Sequence, residues 1–94
     1  MIKAINGYYD QLVGPFFKNQ EIVNIIKEQS CLSHKLYYIQ ALGIQGPEHT
    51  KVNINGKPFI IGKTKILELR NVEITSIIFP EDTDNNVCLD YIII

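Results

Sequence analysis

Two cysteines and two histidines, Cys31, His34, His49 and Cys88, are all the thiols and imidazoles in the chain, and together they make the donor set of a Cys2His2 zinc site. Cys31-x2-His34 has workable ligand spacing. His49 and Cys88 each stand alone, whereas structural zinc sites present their ligands in pairs on short knuckles. A buried thiol at Cys88 and polar loop histidines account for the same residues, so no metal is expected. Asp82, Asp84 and Asn86 repeat the spacing that opens a calcium loop. The pattern then breaks, because Val87 stands where that loop needs glycine and Ile93 where it needs a bidentate glutamate. A solvated loop rich in Asp and Asn is the simpler account.

Nucleophilic chemistry finds little support. The serines are Ser30, Ser33 and Ser76, none in a Gly-x-Ser-x-Gly elbow, and neither histidine sits in a triad context. Glycine-rich phosphate loops are missing. Paired carboxylates for glycoside hydrolysis are brought together only by a fold, and a domain this small offers little depth for a substrate cleft. No catalytic residue and no cofactor are therefore expected, and the chain is read as a non-enzyme. Five Tyr and four Phe could stack on sugars, but the side chain most useful for that task, Trp, is missing. A small carbohydrate-binding module carried by Tyr8 and Tyr9 is the alternative function.

The 94 residues allow one domain with one core. Hydrophobic residues make up 46% and charged residues 20%, a balance that predicts folding rather than disorder. A net charge of −1 lacks the cationic surplus that releases counterions from nucleic acid, so direct nucleic-acid binding is not expected. Apolar runs such as residues 36–39 and 91–94 are far shorter than the roughly 20 residues of a membrane helix. Asn6, Gly7 and Asp10 interrupt the start where a secretory peptide needs a continuous apolar stretch. Synthesis in the cytoplasm, with Cys31 and Cys88 both reduced, is the resulting expectation.

Residues 34–94 are dominated by β-branched and aromatic side chains punctuated by turns, the signature of several short strands. Residues 34–45 put Leu36, Tyr38 and Leu42 on one face and Tyr37, Ile39 and Ala41 on the other, which predicts a central strand. Gly46-Pro47-Glu48-His49 reads as a turn. Residues 50–54 alternate, with Val52 and Ile54 inward. Asn55-Gly56 predicts a hairpin, because a type I′ turn needs positive φ at both central residues. Pro58 places the returning strand, 57–61, at a sheet edge. Residues 65–70 and 72–79 read as two strands separated by Asn71, and residues 87–94 as a last strand with Val87, Leu89, Tyr91 and Ile93 on one face. Removal of 91–94 is expected to abolish folding. The predicted core is Leu36, Tyr38, Leu42, Val52, Ile54, Leu67, Leu69, Ile74, Ile78, Leu89 and Tyr91.

In residues 21–29, spacing of three and four fits a helix face while β-branching favours a strand, and the segment is assigned to a strand. Gly14-Pro15 predicts a kink. Tyr8, Tyr9, Phe16 and Phe17 form an aromatic-rich, non-periodic arm that packs either on its own domain or on a neighbour, and these four are the candidate interface residues. An N-terminal strand plus a packed loop accounts for them equally. Lys51, Lys57, Lys63, Lys65 and Arg70 cluster, while every charge after Arg70 is acidic: Glu73, Glu81, Asp82, Asp84 and Asp90. These groups either neutralise one another within the fold or let a basic edge of one copy meet an acidic edge of the next.

The strings Gly43-Ile44-Gln45-Gly46-Pro47, Thr50-Lys51-Val52, Ile54-Asn55-Gly56, Ile60-Ile61-Gly62-Lys63-Thr64, Glu68-Leu69, Ile74-Thr75-Ser76-Ile77 and Asp90-Tyr91-Ile92-Ile93 resemble small β-sandwich modules of tailed-bacteriophage virion proteins of Firmicutes-type hosts. The resemblance spans about residues 36–94; the family pattern has glycine where His49 and Lys65 stand, and residues 1–33 lie outside it. It implies a non-enzymatic structural component of a phage particle or phage-tail-like device, in head decoration, head-tail connection, tail or baseplate. It also implies a homo-oligomer docked on capsid, connector or tail proteins, and localisation in the virion. The expected architecture is all-β: a two-sheet antiparallel β-sandwich, jelly-roll or Ig-like, over residues 34–94, with residues 1–33 as an N-terminal extension of arm and first strand.

Overall fold

The computed structural model describes residues 8–30 and 39–93. They form a mostly β structure of two antiparallel sheets and one helix, in the order β1 (Tyr8–Val13), α1 (Ile22–Ser30), β2 (Ile39–Gln45), β3 (Lys51–Ile54), β4 (Lys57–Ile60), β5 (Ile66–Ile74), β6 (Ile77–Ile78) and β7 (Cys88–Ile93). One sheet runs β1-β7-β2-β5 and the other β4-β3-β6. Side chains of both sheets and of α1 meet in one core that holds Ile39, Leu42 and Ile44 of β2, Val52 and Ile54 of β3, Leu89, Tyr91 and Ile93 of β7, and Ile22, Val23 and Ile26 of α1.

The hairpin forms where Asn55-Gly56 predicts it: both residues take positive φ, 52° and 78°, and β4, carrying Pro58, is the edge of its sheet. The alternation of the last strand holds as well, with Val87, Leu89, Tyr91 and Ile93 all buried. Of the predicted core, Leu42, Val52, Ile54, Ile74, Leu89 and Tyr91 are buried, Leu67 and Leu69 pack against the core from the side, and Ile78 is half-buried. Leu36 and Tyr38 lie outside the described residues.

Three expectations need correction. Residues 21–29 contain a helix, not a strand. Its buried positions 22, 23 and 26 and exposed positions 24, 27 and 28 follow helical spacing, and only Glu21 keeps a β-bridge, to Ile78. Burial of a continuous apolar stripe outweighs the small penalty that β-branching imposes on a helix. Ile39 and Leu42 share the inner face instead of opposing one another, because the β2–β5 register shifts between Ile39 and Ala41. Finally, Asn71 does not separate two strands: β5 passes through it in a left-handed conformation, φ 58°, and the break falls at Thr75-Ser76.

Residues 8–30 also share the core of residues 39–93, so a division at residue 33 is not a division of packing. The segment after β1 is strapped to the loop before β7. Thr83 Oγ1 accepts the Phe16 N–H at 2.8 Å, the Phe16 carbonyl accepts the Thr83 N–H at 2.9 Å, and Asp82 Oδ1 accepts the Lys18 N–H at 2.8 Å. Gly14 sits so close to this loop that a Cβ there would lie 2.7 Å from the Asp84 carbonyl oxygen. His49 and Lys65 both adopt left-handed backbone, φ 75° and 63°. Glycine reaches that region without the Cβ penalty.

Candidate functional site: the outer face of the four-stranded sheet

Strand pairing places the outward residues of this sheet in three rows across β1, β7, β2 and β5. They are Tyr9, Ile92 and Arg70; Gln11, Asp90, Gly43 and Glu68; and Val13, Cys88, Gln45 and Ile66. Gly43 leaves a gap in the middle row, since glycine in a strand interior supplies no side chain to fill the face. The result is a groove of about 510 Å³ along β2, with Asp90 on one side, Glu68 and Arg70 on the other, and Tyr9 and Ile66 also in its wall. A Cβ on Gly43 would stand 3.8 Å from Asp90 Cβ, an ordinary contact, so the floor is open rather than sterically forbidden.

Two features give the groove its electrostatic character. Arg70 donates to Glu68 Oε2 at 2.7 Å along the same strand face, forming an exposed ion pair. Asp90 Oδ1, by contrast, is buried with no hydrogen-bond partner among the described residues. Such an oxygen forfeits the hydration it has in the unfolded chain, a cost to folding. Burial pushes the Cys88 thiol above its ordinary pKa, and the Asp90 carboxylate two residues along adds to the rise.

Of the four aromatic residues singled out from the sequence, Tyr8 opens β1 opposite Ile93 and Tyr9 is 61% exposed in the first row. Phe17 is 62% exposed in the following loop. Phe16 requires a correction: it is 3% exposed and stacks on Phe79 with ring centroids 5.2 Å apart, so it belongs to the chain's own core and offers no contact surface.

Cys31, His34 and Ser33 lie outside the described residues. His49 sits in an exposed turn beside Glu48 at 3.5 Å, Cys88 lies on the outer sheet face, and no three His, Cys, Asp or Glu side chains among the described residues converge on a metal position. Asp82 and Asp84 are engaged by the backbone N–H groups of Lys18 and Asn86, both at 2.8 Å. Ser76 donates its N–H to Asn55. Between the basic and acidic segments, Lys51 and Glu81 approach to 4.0 Å, while Lys57, Lys63, Lys65 and Glu73 make no ion pair among the described residues.

Asp90, Gly43, Glu68 and Arg70 escaped attention as a group in the sequence. The available signal was a glycine inside an otherwise apolar strand, and its consequence depends on a register that only the fold supplies. Comparison of the chain with protein-family models, curated proteins and solved structures found no match.

Proposed function

We propose that the chain is a non-enzymatic structural module of a bacteriophage particle or phage-tail-like device, in head decoration, head-tail connection, tail or baseplate. It acts by self-association and by docking on capsid, connector or tail proteins. Its two sheets are read as a β-sandwich of the jelly-roll or Ig-like kind, made in the bacterial cytoplasm and incorporated into the virion. The observation that carries the assembly reading is the concentration of exposed apolar side chains on the two outermost strands of the four-stranded sheet: Tyr9 and Val13 on β1, Ile66 and Val72 on β5. Apolar groups beside unpaired strand edges favour contact with another protein surface. The virion assignment rests on the resemblance of residues 36–94.

The test is sedimentation of the purified chain across a wide concentration range, together with cryo-electron microscopy of the particle. Oligomers, or density for this chain in the particle, support the reading. A strict monomer at millimolar concentration that binds no virion protein overturns it.

One observation favours a second reading, a glycan-binding module: Asp90, Glu68, Arg70 and Tyr9 line one groove. Sugar hydroxyls donate to carboxylates, accept from guanidinium and stack on tyrosine. Saccharide binding that is lost in both Tyr9→Ala and Gly43→Val supports this reading, and a clean negative on a broad glycan panel removes it.

A further inference from the structure

Among the described residues, four strand edges have no neighbouring strand on one side, and three of them are obstructed. The Gly14 N–H to Val87 C=O bond continues the β1–β7 ladder and sets its phase, so that Tyr9, Gln11 and Val13 turn their backbone groups to the open side of β1. There the Gln11 N–H donates to Asp10 Oδ1 at 2.8 Å and the Gln11 carbonyl accepts from Gln29 Nε2 at 3.0 Å. On β4 the Ile61 N–H to Thr50 C=O bond sets the phase, and the outward positions include Pro58, which has no N–H. The free side of β6 is bridged by Glu21. Only β5 differs.

The Gly46 N–H to Lys65 C=O bond continues the β2–β5 ladder, which directs the backbone groups of Leu67 and Leu69 to β2 and those of Ile66, Glu68 and Arg70 outward. The Ile66 carbonyl meets Thr64 Oγ1 at 3.4 Å, and no described residue bonds the backbone of Glu68 or Arg70 on that side. This edge carries the string Lys65-Ile66-Leu67-Glu68-Leu69-Arg70-Asn71-Val72-Glu73. Laid antiparallel against itself about Leu69, it is self-complementary: Glu68 meets Arg70 twice in the regular stretch, and the irregular flanks, Lys65-Ile66 of one copy and Val72-Glu73 of the other, lie side by side with matching apolar and opposite charged groups. Ile66 and Val72 are each 42% exposed, and Lys65 and Glu73 have no ion pair among the described residues.

Competing registers are poorer. Centring on Leu67 sets Glu68 against Ile66 and loses the Glu68–Arg70 pair. Centring on Glu68 opposes two glutamates, and centring on Arg70 opposes two arginines. A shift by one residue puts outward side chains against inward ones. The bulge at Asn71 confines regular pairing to the stretch around Glu68–Arg70, which is where the outward backbone groups lie.

We infer that the chain forms a two-fold dimer by antiparallel pairing of β5 with β5 of a second copy, centred on Leu69. This inference rests on the self-association reading and assigns its surface. A two-fold axis normal to the sheet keeps both outer faces on the same side, so the dimer presents two β2 grooves on one continuous sheet.

The test uses Glu68→Arg and Arg70→Glu. Each opposes like charges twice per dimer, and each is expected to weaken dimerisation by about tenfold or more in sedimentation equilibrium at low salt. In an equimolar mixture, positions 68 and 70 are both cationic on one variant and both anionic on the other, so opposite charges meet across the axis and a heterodimer is recovered. In the wild type, amide exchange at Glu68 and Arg70 slows as concentration rises, while exchange at Tyr9 and Val13 does not. Circular dichroism and melting of each variant verify its fold. A wild-type oligomer unchanged by either substitution, or variants that do not recover on mixing, overturns the β5 interface and leaves the self-association reading standing. A strictly monomeric wild type overturns both.

Discussion

Asn55 offers the most direct test of how the two sheets are tied together. Its side chain reaches out of the hairpin turn to the β5–β6 connection. Nδ2 donates to the Glu73 carbonyl at 2.8 Å, and Oδ1 accepts from the Thr75 N–H at 2.8 Å, the Thr75 hydroxyl at 3.0 Å and the Ser76 N–H at 3.2 Å. Asn55→Gly removes these four bonds and keeps the left-handed backbone. At about 0.5 kcal/mol each for exposed bonds, the loss is about 2 kcal/mol, or roughly a 10 °C fall in Tm at this chain length. Asn55→Ala removes the same bonds and forces a Cβ into φ 52°, adding about 1 kcal/mol. Asn55→Asp keeps the acceptor bonds but turns an oxygen on the Glu73 carbonyl, for a loss of about 1 kcal/mol. Urea unfolding followed by circular dichroism ranks the series. The reasoning is refuted if Asn55→Gly stays within about 0.5 kcal/mol of the wild type, or if alanine is no worse than glycine.

Gly14→Ala drives a Cβ onto the Asp84 carbonyl and should cost about 2 kcal/mol, read from the urea midpoint; an unchanged midpoint would mean the strap yields freely. Ile26→Ala empties a fully buried position of α1 at about 3 kcal/mol, while Asn24→Ala on the exposed face gains about 0.5 kcal/mol. A strand at this position would reverse the second sign. Alkylation of Cys88 should have its pH midpoint above that of the unfolded chain, because the raised pKa delays thiolate formation, and Asp90→Asn should bring the midpoint down. Equal midpoints in the folded and unfolded chain would contradict this.

What the residues disclosed in advance were features decided within a few positions. Asn55-Gly56 needs no partner to favour its turn, Pro58 lacks its N–H wherever it stands, and the alternation of residues 87–93 reports a single wet face. The helix was legible too, in the polar spacing of Asn24, Lys27 and Glu28, but β-branching at Ile22, Val23, Ile25 and Ile26 pulls a propensity-based reading toward a strand. Burial of the stripe decides it. The fate of Phe16 depends on Phe79, 63 positions away, and the β2 groove depends on register. Neither is encoded within a local window. The Asn55 clamp falls between these cases: the turn is local, but its bonds to residues 73–76 are not.

Gln29 links the guarding of strand edges to assembly. Its Nε2 lies 3.0 Å from the Gln11 carbonyl, 3.0 Å from Tyr91 Oη and 3.2 Å from Asp10 Oδ2, so two hydrogens serve three acceptors at the end of α1. The helix thereby closes the β1 edge at its centre, at the end of the sheet opposite β5. Gln29→Ala should cost only about 1 kcal/mol, because two of the three contacts are exposed. Its larger effect is on association. A β5-paired dimer carries a β1 strand at each end, and uncovering both converts a closed pair into a unit able to extend in either direction. Light scattering of Gln29→Ala should therefore show growth beyond the dimer as concentration rises. Adding Glu68→Arg to the same chain should stop that growth at pairs joined through β1. A Gln29→Ala protein with the wild-type mass distribution at every concentration would show that Asp10, which still holds the Gln11 N–H, suffices to guard the edge.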